Sequence, residues 1–561
     1  MTRSIASLEE DRVAELPWKE ESAPDDWSRF LRTSNGKQTL RPIQNRMLQE
    51  AKAAGGLLAF AACGEGKTLA SLLLPVVLRA ERPLLLIPAN LREQNAMDQE
   101  EYAENWQVEY VPVLSYEQLS APRSLNKLKQ LQPDLIIADE AHYLRGKESA
   151  RSKRLGRYLV EHPECRFVAL SGTLMNRSLE DWAHLANWAL AGGAPIPRVP
   201  KVLEPWIRVL ETHDAYGSDY RLINKIKEQS GAATFDEAVG LRIRSTTGVV
   251  VTDTQQVGSS LVIHKRKIKL PDDLEMTLRH AAGGDIVSAT GDLLDEETLD
   301  RVFDSSDLWT QEDAFAIRVW AQMICGFFYI WDWPGEPDHD WVYAKRAWGR
   351  ACRWAREALG EDSDALFAKK IEQGKCSEEY AVSAWERWQE HKHKEAPPTE
   401  TVWISDYLVK DVVSWVAEQK EPPIVWCGTR ALADRLSKEL GCPLYGAGKK
   451  DSERLVAASK KAHTCVASIR AHGTGKNLQA WSNQIIVHPL SSPDTWEQLL
   501  ARTHRPGQLA DEVKVTVYGH NLFGKALSKA KRDARRVSEI TGLGQRLTFC
   551  SFSVDPRTKS D

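Results

Sequence analysis

The chain has 561 residues, 42% of them hydrophobic and 27% charged, an ordinary globular composition with length for roughly three or four domains. A formal charge of −4 excludes a uniformly basic nucleic-acid coat but leaves room for a local basic track. No apolar run approaches the ~18 residues that a membrane helix needs, so no membrane partner is expected.

Residues 1–36 are rich in Glu, Asp and Ser and lack an apolar stretch with basic flanks. They read as a loosely held arm pinned by Trp18 and Trp27, not as a targeting peptide. The nine cysteines are scattered, with no C-x-x-C pair. No zinc site is expected, and reduced thiols in a cytoplasm are the plain expectation.

Gln44, in the stretch Leu40-Arg41-Pro42-Ile43-Gln44, stands about twenty residues before a phosphate-loop pattern. Its amide offers a donor beside an acceptor, the pair that an adenine edge requires. The loop is Ala61-Ala62-Cys63-Gly64-Glu65-Gly66-Lys67-Thr68. Small residues there let the N–H groups of Gly64, Glu65 and Gly66 close around a triphosphate. Lys67 can reach the phosphates, and the Thr68 hydroxyl can ligate Mg²⁺. Cys63 is a small filler. The apolar run Leu57 to Phe60 suits a buried strand before the loop. Leu69 to Val77 suits a helix whose N-terminus faces the phosphates. The departure from the general loop pattern is Ala61, where Gly is usual.

Further apolar runs, Leu84 to Ile87 and Val111 to Leu114, alternate with helical stretches, which implies a parallel α/β sheet. Ligands bind such sheets at the carboxyl ends of the strands, which puts Asn90, Arg92, Ser115 and Tyr116 on one rim. Leu135 to Ala138 delivers Asp139 and Glu140 at a strand end. Asp139 is expected to hold Mg²⁺ and Glu140 to orient or deprotonate the attacking water, with His142 bridging onward. Phe167 to Leu170 closes on Ser171-Gly172-Thr173, whose hydroxyls are placed to bond back to His142.

The middle of the chain is less legible. Val249 to Val251 and Leu261 to Ile263 read as short strands, and His264 to Lys269 as a basic patch. Ten of the twenty tryptophans lie between Trp320 and Trp415, so that segment is expected to fold. Asp340 to Leu359 has a helical stripe of Trp341, Ala344, Trp348, Cys352, Ala355 and Leu359. Lys345, Arg346, Arg350, Arg353 and Arg356 flank it. Glu379 to Gln389 makes a second amphipathic helix with Tyr380, Ala384, Trp385 and Trp388. A second α/β block starts at Pro422. It has strands at Ile424 to Cys427, Cys465 to Ile469 and Gln484 to Val487, and a helix from Thr429-Arg430 to Leu440. Arg502 and Arg505 lie three apart on an expected helix. Directed at a triphosphate, they would act as arginine fingers.

Together these stretches resemble the motifs of superfamily 2 helicase-like ATPases, and most closely those of the Swi/Snf-type DNA translocases. Leu40 to Gln44 resembles the Q-motif, Ala61 to Thr68 motif I, and Asp139-Glu140-Ala141-His142 a DEAH form of motif II. Ser171 to Asn176 resembles motif III, with Ser and Leu replacing Thr and Pro. Gly473 to Leu478 resembles motif V, with Lys476 where Gly is usual. Gln498 to Gln508 resembles motif VI, with Ala501 and Pro506 as departures. The resemblance covers Leu40 to about Leu190 and Pro422 to about Ile540, and Ile317-Arg318 to Phe328 resembles the helical segment between lobes.

It implies an α/β fold of two RecA-like parallel-sheet lobes with a largely helical, Trp-rich insertion. The expected division is an arm at 1–36, lobe 1 at 37–270, the insertion at 271–408, lobe 2 at 409–545 and a tail at 546–561. It implies ATP and Mg²⁺ as cofactors, and DNA, duplex, forked or branched, as partner. Lys67, Asp139, Glu140, Arg502 and Arg505 would be catalytic, and His142, Ser171, Thr173 and Gln498 would couple the motifs. Asn90, Arg92, Ser115, Tyr116, Thr429, Arg430, Thr474 and Asn477 would touch the nucleic acid. The build looks bacterial or phage-like. The rivals are an RNA helicase, a clamp that uses ATP only as a switch, and a motor that displaces bound protein without separating strands. The insertion's basic helix is either a solvated face or a second DNA surface with a tryptophan that stacks on a base.

Overall fold

The computed structural model describes residues 5–20, 23–62, 64–176, 178–212, 220–252, 257–272, 274–275, 321–359, 361, 363–473 and 475–555. Cys63, Thr474 and the Ile317-Arg318 start of the expected inter-lobe helix lie outside them. The chain is α/β and forms two compact units. The first holds Met1–Gln256, Ser492–Glu497 and Lys531–Phe549. The second holds Val257–Ser491, Gln498–Ala530 and Cys550–Asp561.

The first unit has a six-stranded sheet. Its strands are β1 (Leu57–Phe60), β2 (Pro83–Ile87), β3 (Val113–Ser115), β4 (Leu135–Asp139), β5 (Arg166–Ser171) and β6 (Val249–Val251), in the order β3-β2-β4-β5-β1-β6. All pairs are parallel. Both β1 and β4 are buried along their whole length, as expected of strands covered by helices on both faces. Register matters most at β5. Phe60 pairs with Ser171 and Asp139 with Leu170, so β1, β4 and β5 end level with one another.

The N-terminal residues are more firmly held than a loose arm. The helix Ile5–Glu15 buries Val13 and Ala14 in the core of this unit. Glu9 is buried too, and its carboxylate accepts from Arg12 and Arg198. Burial alone would raise its pKa, but those donors hold it down at about 2. Lys52 stands over the Trp27 ring and Arg242 over Trp18, so both tryptophans do pin this stretch.

The second unit has a seven-stranded parallel sheet. It contains β7 (Ser260–Arg266), β10 (Ile424–Cys427), β11 (Leu444–Tyr445), β12 (Cys465–Ser468), β13 (Asn483–Val487), β14 (Glu512–Tyr518) and β15 (Ser551–Val554), in the order β11-β12-β10-β13-β14-β7-β15. The strand expected within residues 37–270 is therefore a member of this sheet, and the expected tail supplies its edge strand. Arg266 is not part of a surface basic patch. It is buried between Asp411 at 2.7 Å and Asp555 at 3.0 Å, tying β7 to the helix Tyr407–Ala417 and to the end of β15.

The same unit carries the tryptophan-rich segment. An antiparallel pair, β8 (Phe327–Trp331) with β9 (Thr399–Trp403), closes it at the base. The helices His339–Ala358, Asp364–Glu372 and Glu379–His391 lie between them in sequence. Trp341, Ala344, Cys352 and Ala355 are buried as the stripe requires, whereas Leu359 ends the helix 48% exposed. Trp331, Trp333 and Trp341 stand edge to face, with centroids 5.4–5.8 Å apart. Trp348 stacks on Phe367 at 5.6 Å and tilts against Trp385 at 4.7 Å. Lys345 lies 4.4 Å above the Trp341 ring. These tryptophans pack with one another: Trp331, Trp341 and Trp385 are buried, and Trp333 and Trp348 are half-buried. Among the described residues, no helix is long and apolar enough to cross a membrane, and no cluster of three or more His, Cys, Asp or Glu is placed to hold a metal.

Arg266→Ala would leave the buried Asp555 and the half-buried Asp411 without their shared cation. It is expected to cost about 3–5 kcal/mol, the usual consequence of removing one partner from a buried pair. Urea melts at neutral pH check this, and a loss below 1 kcal/mol (roughly, on the scale of an exposed pair) would contradict it.

Candidate active site

The loop that follows β1 sits at the level carboxyl ends of three strands. Gly64 and Gly66 both have positive φ, +94° and +76°, which a side chain would strain. A Cβ on Gly66 would also lie 2.3 Å from Gln44 Nε2. Ala61, in place of the usual Gly, needs no such freedom. It has no left-handed backbone, and its N–H continues the β1–β5 ladder to Ser171 O at 3.1 Å.

Lys67 opens the helix Lys67–Leu78 and is 8% exposed. Its Nζ donates to Ala61 O at 2.8 Å and Ala62 O at 3.1 Å. The ammonium thus lies folded into the loop's own carbonyls, beside N–H groups of the helix's first turn. Gln44 Nε2 donates to Gly66 O at 3.0 Å, and its Oε1 accepts from Arg41 N at 2.9 Å. Both ends of the amide are engaged with backbone, so Gln44 braces the loop. Arg41 does the same through Gly64 O at 2.7 Å, a role that sequence reasoning missed. So is that of Thr252, just past β6, whose buried Oγ1 accepts from Ala62 N at 3.1 Å. Its signal was a hydroxyl residue at the end of an apolar strand.

Asp139 closes β4 with its carboxyl buried. Desolvation pushes its pKa up to about 7. The neighbouring Glu140 charge adds to the rise, and Lys67 opposes it. Glu140 has left-handed backbone, φ +57°, a strained conformation for a residue with a Cβ. That turn brings its carboxylate to His142 Nδ1 at 3.2 Å and the Ser171 hydroxyl at 3.4 Å. Ser171 Oγ also lies 3.1 Å from His142 Nδ1 and accepts from Thr173 N at 3.1 Å. The expected link between His142 and the small hydroxyls is present through Ser171. Two carboxylates thus stand at the end of β4, level with the end of β1 where the loop holds Lys67, whose charge acts on Asp139. With the Thr68 hydroxyl they are a hard-oxygen and cationic set that suits a magnesium-bound triphosphate.

The rim residues separate into two kinds. Asn90 and Arg92 are exposed beyond β2. Ser115 and Tyr116 are buried: Ser115 caps the helix Tyr116–Ser120, and Tyr116 OH donates to Asp139 O at 2.7 Å. Both are spent on structure and leave no group on the rim.

In the second unit, Arg502 and Arg505 do not share a helix. The helix Pro493–Leu500 stops before them, and both lie in successive turns. Pro506 disfavours helical backbone at Arg505, so the helix cannot run through. The two arginines also differ in kind. Arg502 is buried, with Nε on Gln498 O at 2.8 Å and Nη1 on Lys476 O at 3.1 Å. Arg505 is half-buried and bonds Asn477 Oδ1. Lys476 is buried against His472 Nδ1 at 2.5 Å, and burial brings its pKa down to about 8. Thr429 caps the helix Arg430–Leu440 by position only, and Arg430 is exposed. Comparison with protein-family models and with curated proteins finds no match.

The raised pKa of Asp139 has a sign. In an unfolded chain its carboxyl titrates near 3.9, so between about pH 4 and pH 7 the folded chain holds a proton that the unfolded chain has released. Stability is lost as pH rises across that window. Asp139→Asn is therefore expected to melt higher than wild type at pH 8 without ligand, with the gain shrinking toward pH 4. A gain independent of pH would assign it to something other than this carboxyl.

Proposed function

We propose that the protein is an ATP hydrolase of the superfamily 2 helicase-like kind, built of two RecA-like lobes, that couples hydrolysis to movement on DNA. The observation that carries this reading is the convergence of Lys67, Asp139 and Glu140 at the level ends of β1, β4 and β5. Magnesium-bound ATP brings the reactive phosphoanhydride and a divalent charge, for which Thr68 and Asp139 are the oxygen donors.

The chain's own residues do the rest. Lys67 exchanges two carbonyl acceptors for more strongly accepting phosphate oxygens. Gln44 and Arg41 hold the loop carbonyls outward-bound, so the N–H groups keep their direction. Glu140 takes a proton from, or orients, the attacking water. His142 and Ser171 fix its carboxylate and make its position depend on motif III. Arg505 is the finger in this scheme. Arg502, spent on the carbonyls of Gln498 and Lys476, shapes the turn from which Arg505 projects.

Lys67→Ala is expected to keep the fold and abolish turnover, because electrostatic positioning supplies most of phosphoryl-transfer catalysis. Hydrolysis measured with duplex, fork, four-way junction and RNA tests both the site and the polymer. Near wild-type turnover in Lys67→Ala would overturn the site, and stimulation by RNA alone would move the reading to an RNA helicase.

Arg505→Ala should lower kcat by about 10³-fold with little change in ATP affinity, as for other fingers. Arg502→Ala should in addition lower the melting temperature, since it removes buried hydrogen bonds. An Arg505→Ala enzyme with full kcat at saturating ATP would remove it from the role.

A further inference from the structure

The two long helices of the tryptophan-rich segment, His339–Ala358 and Glu379–His391, bury their tryptophan faces, and what they leave outside has a pattern. Tyr343 and Arg350 are exposed on the first helix, at helical spacing with the half-buried Ala347 and Trp354 that pack against the core, and Tyr380, Ser383 and Arg387 are exposed on the second. The helices run antiparallel. At one end the Arg387 guanidinium lies over one face of the Tyr343 ring, 4.7 Å from its centroid, which leaves the other face for a base, and at the other end Trp354 meets Tyr380 edge to face at 5.7 Å.

Tyr343 is 54% and Tyr380 46% exposed, although both are large aromatic residues on ordered helices. Arg350 is exposed and Arg353 half-buried, three residues apart and so neighbours on the surface of the first helix. One face therefore offers an exposed tyrosine at each end with arginines between. From Tyr343 to Trp354 the helix advances roughly 16 Å at its usual rise, room for a few extended nucleotides. Glu379, Glu386 and Glu390 occupy the neighbouring flank of the second helix, so phosphates are favoured along the arginine side alone.

We propose that this stripe binds single-stranded nucleic acid, with bases stacked on Tyr343 and Tyr380 and the intervening phosphates on Arg350 and Arg353. Exposed aromatic rings accept any base by its face, and arginines track the backbone without reading sequence. The inference rests on the reading that the chain acts on nucleic acid, but it uses no residue of the nucleotide site.

The test is fluorescence anisotropy on the full chain with labelled oligothymidylate, oligouridylate and a duplex. Tyr343→Ala/Tyr380→Ala should lower single-strand affinity roughly tenfold or more. It should leave duplex affinity and ATPase without nucleic acid unchanged. Tyr343→Phe/Tyr380→Phe should restore binding, because the stacking face survives. Arg350→Glu should flatten the salt slope by roughly one unit. Loss on either polymer supports the stripe. Equal single-strand affinity in the alanine variant, or no single-strand binding by the wild type, overturns it. Unchanged binding alongside Lys67-dependent hydrolysis would sink the stripe alone. Lost binding in a chain that never hydrolyses ATP would uphold the stripe and sink the proposed function.

Discussion

An ammonium group is buried at the end of a parallel sheet, and the arrangement around it follows from the need to satisfy it. Lys67 is placed there because it begins the helix that follows β1 after a short loop, and it is buried but for 8% of its surface. Burying such a charge without partners is prohibitive. Two loop carbonyls accept from it, and the Asp139 carboxylate acts on it through charge. Carbonyls that turn inward to meet an ammonium force the backbone through left-handed positions, and Gly64 and Gly66 supply them. The side chains of Arg41 and Gln44 then take up the carbonyls of those same glycines. The loop is thus held in one shape by bonds within the protein, and under the proposed function that is preorganisation for phosphate.

The cost appears next door. Asp139 carries a raised pKa and Glu140 a strained backbone, two local penalties at adjacent positions. Neither would persist unless the surroundings enforced it. The enforcement is the parallel register, which sets Ser171 between the two loops so that one hydroxyl meets Glu140 and His142. Tyr116 fastens the Asp139 carbonyl from behind. Strain and desolvation are therefore concentrated at the two carboxylates to which the proposed function assigns the metal and the water, and the apolar strands beneath carry the stability that offsets them.

Much of this was legible because the strands are short, continuous and apolar. β1, β6 and β10 fall on the residues that their hydrophobic runs mark out, and Thr429 begins its helix where a hydroxyl residue follows a strand. The misreadings have a common cause, which is that local patterning says nothing of partners far along the chain. His264 to Lys269 looks basic, yet Arg266 meets Asp411 145 residues away and Asp555 289 away. Glu9 looks like one more acidic residue of an arm until Arg198 reaches it. β15 is too short and too mixed to announce itself, and only its pairing with β7 makes it a strand. Pro506 in the sequence excludes a helix through Arg505, but it does not mark the earlier end at Leu500. The periodic spacing of two arginines outweighed it.

The tryptophan-rich segment shows how composition can point to order without pointing to a role. A segment tied at one end by two five-residue strands has little sheet to stabilise it. Large rings compensate by burying much area per residue at little entropic cost. Trp331, Trp333, Trp341, Trp348 and Trp385 are consumed in this way, and Lys345, first counted with the basic flank, is consumed with them over the ring of Trp341. Once the indoles are spent on rigidity, the exposed aromatics that remain are tyrosines. A tyrosine keeps a polar hydroxyl in water while presenting a flat face, so it can stay uncovered at lower cost than a tryptophan. The same indole packing that joins the two helices leaves Tyr343 and Tyr380 as their exposed aromatic residues.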